Sequence, residues 1–400
     1  MRTIAAKYLL TSNLNLLPKG FVKLDDDGTI IETGALEQES DCTEFYDGVI
    51  IPGFVNSHCH IELSHLEGVF SQESGMAGFI KQIRVQRESA PKERRVEAIK
   101  AQMDKMHKEG VSAVADISNC DESFGVKASS PVYTRSFLEV FGSESGDATN
   151  IMKGLEELLS TALSCGIDAS PSPHSCYTMS RELLRRSSIA ALDSGYISYH
   201  NQESWEEEEL IRRGKGPLAD DYKSRGMSTP EINPEGPMSY FIDVIRGKGE
   251  NRIPGEKIEG NALFVHNTFT DKNSIELATK TFSNPFWALC PLSNIFIHKA
   301  LPPVEMLRRE KAAITLGTDS LSSNRVLSMI EEMKIIQRYF PSVPLNEIIG
   351  WATINGAKFL GKESELGSIE TGKRSGIVLL ENLEIENFRL LPESTSRRLA

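Results

Sequence analysis

The chain has 400 residues and a formal net charge of −12, and 40% of its residues are hydrophobic while 25% are charged. This composition is typical of a folded protein with a large core, and the negative balance argues against nucleic-acid or anionic-membrane partners, which need basic patches. The six cysteines form no CxxC pair, the N-terminus lacks a signal-like apolar stretch, and no apolar run approaches a bilayer-spanning length of about 20 residues. We therefore expect a cytoplasmic protein, and the sequence leaves a homo-oligomer open.

Both ends of the chain have the alternating pattern of β-strands. A turn at Asp25–Gly28 separates the first pair of predicted strands and indicates a hairpin. The predicted terminal strands are Phe21–Leu24, Thr29–Ile31, Leu366–Ile369 and Gly376–Leu380. We expect residues 1–48 and 366–400 to pair into one small β domain outside the main unit.

Between the two ends, short β-rich runs alternate with helical stretches such as Lys92–Lys108. The eight predicted strands are residues 50–57, 111–117, 132–138, 167–170, 196–199, 263–265, 286–289 and 314–316. Eight strands that alternate with helices predict an α/β fold, a (β/α)8 TIM barrel over residues 49–365.

Residues 204–259 interrupt this alternation, because they are rich in Glu, Gly, Pro and Lys and too long for a bare loop. We expect an insertion that forms a lid beside the barrel mouth. Its apolar residues, which would contact substrate or pack the lid onto the barrel, are Tyr222, Met238, Tyr240 and Phe241.

Groups of the metal-ligand type stand at four of the eight predicted strand ends. The first strand runs into His58 and His60, the fifth into His200, the sixth into His266 and the eighth into Asp319. The carboxyl ends of barrel strands meet in one mouth, so these groups should converge there. Imidazoles and one carboxylate with an open position suit a catalytic divalent metal, such as zinc.

Three further residues are candidates for chemistry or binding. Glu203 follows His200 by three residues, which favours a proton-transfer role, although a helix-start acid is the alternative. We expect His174 and Arg135 to point from neighbouring strand ends and to contact a small-molecule substrate. For Arg135 a salt bridge is an equal alternative.

Several sequence blocks resemble the signature blocks of the amidohydrolase superfamily. In chain order they are PGFVNSHCH at Pro52, SPHSCYTMS at Ser172, HNQE at His200, VHN at Val265, CPLSN at Cys290, LGTDSLSSN at Leu316, ATINGAKFLG at Ala352 and LGSIETGKRSGIVLL at Leu366. The resemblance covers nearly the whole chain and implies a metal-bearing (β/α)8 barrel flanked by a small β-sandwich built from both termini. Within the superfamily the chain resembles the mononuclear deaminase-type branch, which includes adenosine, adenosylhomocysteine and aminofutalosine deaminases and the chlorohydrolases.

The resemblance implies one metal ion, because the segment after the fourth strand lacks the lysine of binuclear members. It implies zinc, with iron as the alternative. The implied ligands are His58, His60, His200 and Asp319. Glu203 would be the proton shuttle, Asp319 would take the proton of the attacking water, and His266 would lie beside that water. His174 falls in a block whose histidine contacts substrate.

The implied reaction is hydrolytic deamination of an amino-purine nucleoside, of the aminofutalosine or adenosylhomocysteine kind. A guanine-type base deaminase and a chlorohydrolase or cyclic amidohydrolase are the alternatives, and a non-catalytic binding protein is the remote one. The chain departs from the family pattern at Ser375-Gly376, where Ala-Asp is usual.

Overall fold

The computed structural model describes residues 1–37, 43–247 and 255–400. Its strands are β1 (Arg2–Leu10), β2 (Leu16–Pro18), β3 (Gly20–Leu24), β4 (Ile30–Ala35), β5 (Thr43–Pro52), β6 (Phe54–Cys59), β7 (Val111–Ser118), β8 (Tyr133–Val140), β9 (Asp168–Pro173), β10 (Tyr196–Asn201), β11 (Ile258–His266), β12 (Phe282–Leu289), β13 (Ala313–Leu316), β14 (Ile377–Glu384) and β15 (Arg389–Arg398). Its α-helices are α1 (Gly75–Gln86), α2 (Lys92–Glu109), α3 (Phe124–Ser129), α4 (Ala148–Ser164), α5 (Arg181–Asp193), α6 (Trp205–Arg213), α7 (Pro217–Ser224), α8 (Pro237–Arg246), α9 (Lys272–Thr281), α10 (Pro291–His298), α11 (Val304–Arg309), α12 (Met329–Tyr339), α13 (Leu345–Ala352) and α14 (Ile354–Phe359).

Strands from both termini form one seven-stranded sheet. Its order is β15-β14-β5-β1-β3-β4, with β2 paired to β1. The predicted N-terminal hairpin is present as the antiparallel pair β3–β4. The predicted strand Leu366–Ile369 is wrong, because Leu366 N–H donates to the Lys362 carbonyl in a turn that follows α14. Ile369 nevertheless contributes its side chain to the core of the terminal sheet.

The chain crosses from this sheet into the parallel part of the molecule at Gly53. The predicted strand over residues 50–57 is therefore two strands, with Pro52 ending β5 and Phe54 opening β6. A Cβ atom on Gly53 would lie 1.9 Å from Ser112 Oγ and 2.4 Å from the Ser375 carbonyl oxygen. Only glycine fits this crossing, because any side chain would collide with both neighbours.

The remaining strands form two parallel sheets, in the orders β6-β7-β8-β9 and β10-β11-β12-β13. All eight predicted central strands are thus strands in the structure. The two sheets meet where His200 N–H donates to the His174 carbonyl at 2.9 Å, and again where Thr318 N–H donates to the His58 carbonyl at 2.9 Å. Both contacts lie just past or at carboxyl ends of strands, so those ends share one edge of the molecule.

The segment predicted as a lid contains three helices with two different environments. Helix α8 packs on the strands, since Phe241 stacks on Tyr199 with ring centroids 3.8 Å apart, and Met238 and Tyr240 are also buried in the main core. Of the two alternatives for these three residues, the structure shows packing onto the strands and not contact with substrate. Helices α6 and α7 instead pack with α1, where Tyr222 is buried as well. Residues 248–254 of the predicted insertion lie outside the described residues.

Helices cover the outer faces of the parallel strands and enclose most of the hydrophobic side chains. The largest fully buried side chains include Trp287, Tyr199 and Phe264. Across residues 1–37, 43–247 and 255–400, no helix combines the length and apolarity that a membrane crossing requires. The cytoplasmic location and the homo-oligomer stay predictions.

A buried ion pair holds the chain next to the first pair of histidines. Lys127 Nζ on α3 lies 2.5 Å from Asp116 Oδ2 on β7, and both side chains are 1% exposed. Asp116 Oδ1 accepts the backbone N–H of Ile61 at 2.8 Å, directly after His60. The ammonium also donates to two serine hydroxyls, Ser118 and Ser136. The pair therefore fixes the turn that follows β6.

We expect the substitution Lys127→Met to lower the free energy of unfolding by about 3–5 kcal/mol, because it leaves the Asp116 carboxylate buried without its cation. Urea unfolding followed by circular dichroism measures the change. The control is Lys100→Met, which breaks a pair with Asp104 whose side chains are 65% and 52% exposed and should change stability by less than about 1 kcal/mol. Equal effects of the two substitutions would contradict the importance of the buried pair.

Candidate metal centre and active site

Four histidines and one aspartate converge at the shared carboxyl ends of the parallel strands. His60 Nε2 lies 3.4 Å from His200 Nε2, and Asp319 Oδ1 lies 3.6 Å from Nε2 of both His58 and His60. The His58 ring lies 5.6 Å from the His266 ring, centroid to centroid. The structure thus brings together all five residues that the strand ends predicted, and all five are buried.

Asp319 reaches this cluster through a tight backbone approach. A Cβ atom on Gly317 would lie 2.8 Å from the His58 carbonyl oxygen, so glycine allows the two chains to touch. Asp319 itself has a φ of 56°, which is unusual for a residue other than glycine. Hydroxyls of Ser293 and Ser323 both donate to Asp319 Oδ2 at 2.6 Å. They occupy one carboxylate oxygen and leave Oδ1 to face the histidines.

The donor set fits a divalent cation. Among the described residues neither ring nitrogen of His58 has a hydrogen bond, although the ring is fully buried. Burial lowers the pKa of His60 and His200 well below the ordinary value for histidine and the pKa of His266 to about 3, which favours the neutral imidazole. Burial alone would raise the pKa of Asp319, but the neighbouring histidines, His58 first, hold it below its usual range. Neutral imidazoles around one carboxylate are the ligands that zinc and related ions prefer.

Glu203 lies beside the cluster with its two carboxyl oxygens in different surroundings. Tyr177 Oη donates to Oε2 at 2.9 Å, and His266 Nε2 lies 3.4 Å from Oε1. The backbone N–H of Glu203 donates to Glu207 Oε2, which fixes the turn before α6. Burial, followed by the charge of Asp319, raises the pKa of Glu203 well above its usual value. A raised pKa favours the protonated carboxyl group, which is the form that can donate a proton.

The two predicted substrate contacts have different positions. His174 is only partly buried and stacks on His200 with ring centroids 4.3 Å apart, so it borders the cluster. Arg135 lies near the amino end of β8, where its guanidinium covers the Tyr196 ring at 3.9 Å and lies 3.8 Å from Asp168. The salt-bridge alternative is therefore the one observed. The predicted substrate contact of Arg135 is corrected, because Arg135 lies near the amino end of β8 and the histidine cluster lies at the carboxyl ends of the strands.

The sequence did not identify several residues of the site. Glu139 near the end of β8 has Oε1 3.4 Å from His200 Nδ1, and burial raises the pKa of Glu139 to about 8. Tyr177, Ser293 and Ser323 also touch the central groups. These three residues lie within sequence blocks that resemble family signature blocks, and that position is the feature that could have identified them. Glu139 had no such signal, because a lone glutamate in a predicted strand has no distinguishing pattern.

The chain is similar in sequence and in fold to known deaminases. An adenosine deaminase of Helicobacter pylori is 26% identical over 338 residues, which cover 83% of this chain and 79% of that protein. The crystal structure of H. pylori aminofutalosine deaminase in complex with methylthio-coformycin has a TM-score of 0.78 at 23% identity, and the match covers 96% of this chain and 93% of that one. An adenosine deaminase from Xanthomonas campestris with bound zinc has a TM-score of 0.67 at 18% identity, with 95% and 84% covered.

The sequence model of the amidohydrolase family matches residues 49–395, which is most of the chain. The matched region begins before β6 and extends into β15, so it contains every residue of the histidine cluster together with Asp319. The solved structures share the fold at nearly full coverage. The chain belongs to the amidohydrolase family.

Proposed function

We propose that the two parallel sheets form one closed (β/α)8 barrel over residues 49–365, and that residues 1–48 and 366–400 form the accompanying β-sandwich. The hydrogen bonds at both borders of the sheets support closure, because they leave each outer strand next to a partner. Pro52 still belongs to the terminal sheet, so Gly53 is the physical boundary. The carboxyl ends of the barrel strands then form the mouth.

His58, His60, His200 and Asp319 are the proposed ligands of one divalent metal ion. The unpartnered nitrogens of His58 and the free Oδ1 of Asp319 support this set. Zinc is the proposed ion and iron the alternative, and the zinc bound by the X. campestris relative supports zinc. When bound, such an ion supplies a water molecule whose pKa is lowered towards about 7.

The proposed reaction is hydrolytic deamination of an adenine-type nucleoside. The observation that carries it is Glu203, whose buried carboxyl group lies between Tyr177 and His266 at the edge of the metal-ligand cluster. Asp319 accepts a proton from the attacking water as the water oxygen bonds to the amino-bearing ring carbon, and Glu203 donates a proton to the adjacent ring nitrogen. The proton held by Asp319 then passes to the amino group, and the carbon–nitrogen bond breaks to release ammonia. The hydroxyl proton of the intermediate returns to Glu203 as the ring carbonyl forms.

The remaining residues orient this chemistry. His266 faces Glu203 and holds the attacking water by a hydrogen bond. His174, partly exposed beside His200, is the proposed contact with the substrate ring. The adenosine-type deaminases among the relatives support a nucleoside rather than a free base or a triazine.

A cover over the mouth supports a substrate larger than a free base. It consists of α1, α7 and the loop of residues 225–236, which we call the mouth cover. Tyr222 on α7 donates its hydroxyl to the Tyr177 carbonyl. The loop reaches the chain that follows β8, where Ser228 N and Oγ each donate to Glu144 at 2.8 Å. We infer that the cover contacts the 5′ side of an extended nucleoside.

Purified protein should contain about one zinc ion per chain, because the four proposed ligands would hold a single ion. Elemental analysis measures the metal content, and a strong chelator should abolish ammonia release until zinc is returned. Two ions per chain would contradict the proposed ligand set, and an active metal-free protein would contradict the mechanism.

The substitution Glu203→Gln should retain the metal and lower turnover by about 100-fold or more, because the amide has the same shape but cannot transfer a proton. Ammonia release under saturating substrate measures the effect. The matched control is Glu209→Gln, because the half-buried Glu209 side chain on α6 pairs with Arg213 on the same helix. Near-normal turnover of the Glu203 variant would contradict the proton-transfer role and support the alternative, an acid at the start of a helix.

The substitution Glu144→Ala should lower kcat/KM about 3- to 10-fold for a 5′-extended nucleoside and less for a free base, because it removes both Ser228 hydrogen bonds. Glu231→Ala is the control, since Glu231 lies in the same loop and forms a surface pair with Arg181 at 3.4 Å. Equal losses on free base, nucleoside and extended nucleoside would overturn the cover hypothesis. Fastest turnover of the free base or of a chlorotriazine would overturn the nucleoside assignment.

A further inference from the structure

Glu139 is buried beside the metal-ligand cluster, yet the reaction steps above do not use it. It is 6% exposed and precedes the last residue of β8. Its Oε1 lies 3.4 Å from His200 Nδ1, and no hydrogen bond is formed by this oxygen within the described part of the chain. Burying a carboxyl oxygen without a hydrogen-bond partner costs free energy, so its position opposite one imidazole nitrogen suggests a specific role.

The two ring nitrogens of His200 face different groups. Nε2 points into the cluster, 3.4 Å from His60 Nε2, while Nδ1 points to Glu139. His174 stacks on the face of the same ring and directs its own Nδ1 to the Ser175 and Thr178 hydroxyls. The Nδ1 atom of His174 is thus bound to these hydroxyls, and Glu139 is the carboxylate that faces Nδ1 of His200.

Glu139 is itself held in place from the other side. Asn119 Nδ2 donates to the Glu139 backbone carbonyl at 2.8 Å and to Oε2 at 3.3 Å. The Asn119 backbone N–H donates to Glu62 Oε2 at 2.9 Å, and its Oδ1 accepts from Arg87 Nη2 at 2.9 Å. Arg87 also pairs with Glu62. A continuous polar chain thus runs from the end of α1 to the ring of His200.

We propose that Glu139 is a positioning residue that accepts the Nδ1–H of His200 and thereby directs the Nε2 lone pair towards the bound metal ion. Asn119 orients Glu139, and the Glu62–Arg87 pair anchors Asn119. An imidazole has one lone pair when neutral, so the hydrogen bond at one nitrogen decides which nitrogen can bind the metal. This inference rests on the metal-dependent function proposed above.

The test measures metal binding separately from turnover. Zinc affinity is obtained by competition with a chelator, and the visible absorption of the cobalt(II)-loaded protein reports the geometry at the ligands. Glu139→Ala should weaken zinc binding about 10- to 100-fold and change the cobalt spectrum. Glu139→Gln should do so less, because the amide retains one acceptor oxygen. Asn119→Ala, which loosens Glu139 without touching the ring, should act in the same direction.

The matched control is Glu206→Gln, because Glu206 is equally buried but binds the backbone N–H groups of Met76 and Ala77. It should lower thermal stability and leave zinc affinity and the cobalt spectrum unchanged. Folded Glu139 and Asn119 variants with the zinc affinity and cobalt spectrum of the parent protein would overturn the positioning role. A parent protein that binds no zinc or releases no ammonia would instead overturn the proposed function, so the two failures are distinguishable.

Discussion

The carbonyl oxygen of His58 accepts hydrogen bonds from the backbone N–H groups of Thr318 and Asp319, and the rest of the site depends on this junction. It brings the end of the first parallel strand against the end of the last one. Gly317 makes the approach possible, since a side chain there would strike His58. Asn56 reinforces the junction, because its side-chain amide donates to Thr318 Oγ1 and accepts the Thr318 N–H.

The site concentrates polar groups that would be unstable in a dry core without a cation. Neutral imidazoles, a charged Asp319 and two glutamates with raised pKa values are packed together with little exposure to water. Burial of carboxyl groups favours their neutral form, whereas a bound divalent ion favours the charged form of its neighbours. The proposed metal therefore stabilises the folded centre as well as supplying the chemistry.

Helix α1, which is part of the proposed mouth cover, has hydrogen bonds to both sides of this centre. At its start, the Met76 and Ala77 N–H groups donate to the carboxylate of Glu206, three residues after Glu203. Just past its end, Arg87 joins the polar chain that leads through Asn119 to Glu139. Helix α1 is therefore tied at its start to α6, which follows Glu203, and just past its end to the polar chain that reaches Glu139.

The sequence by itself determined the eight central strands, the N-terminal hairpin and the ligand-type groups at the strand ends. These features depend on local periodicity and on the rule that parallel strands present their carboxyl ends at one edge. It could not decide between the two roles of Arg135, because Tyr196 and Asp168, which its guanidinium contacts, lie on other strands. It also assigned α8 to a lid, since an amphipathic helix has the same pattern whether it covers a mouth or packs on strands.

Only the tertiary structure decided how Glu139, Tyr177 and Ser293 take part. Each belongs to a different part of the fold and takes part through one contact with a residue distant in the chain. No local sequence pattern encodes such a contact. The left-handed backbone of His266 and Asp319 is likewise not predictable from the sequence, because Asp and His adopt this conformation more often than most residues but still at few of their positions. Long-range hydrogen bonds hold these conformations, so the fold had to be assembled before the geometry of the centre was defined.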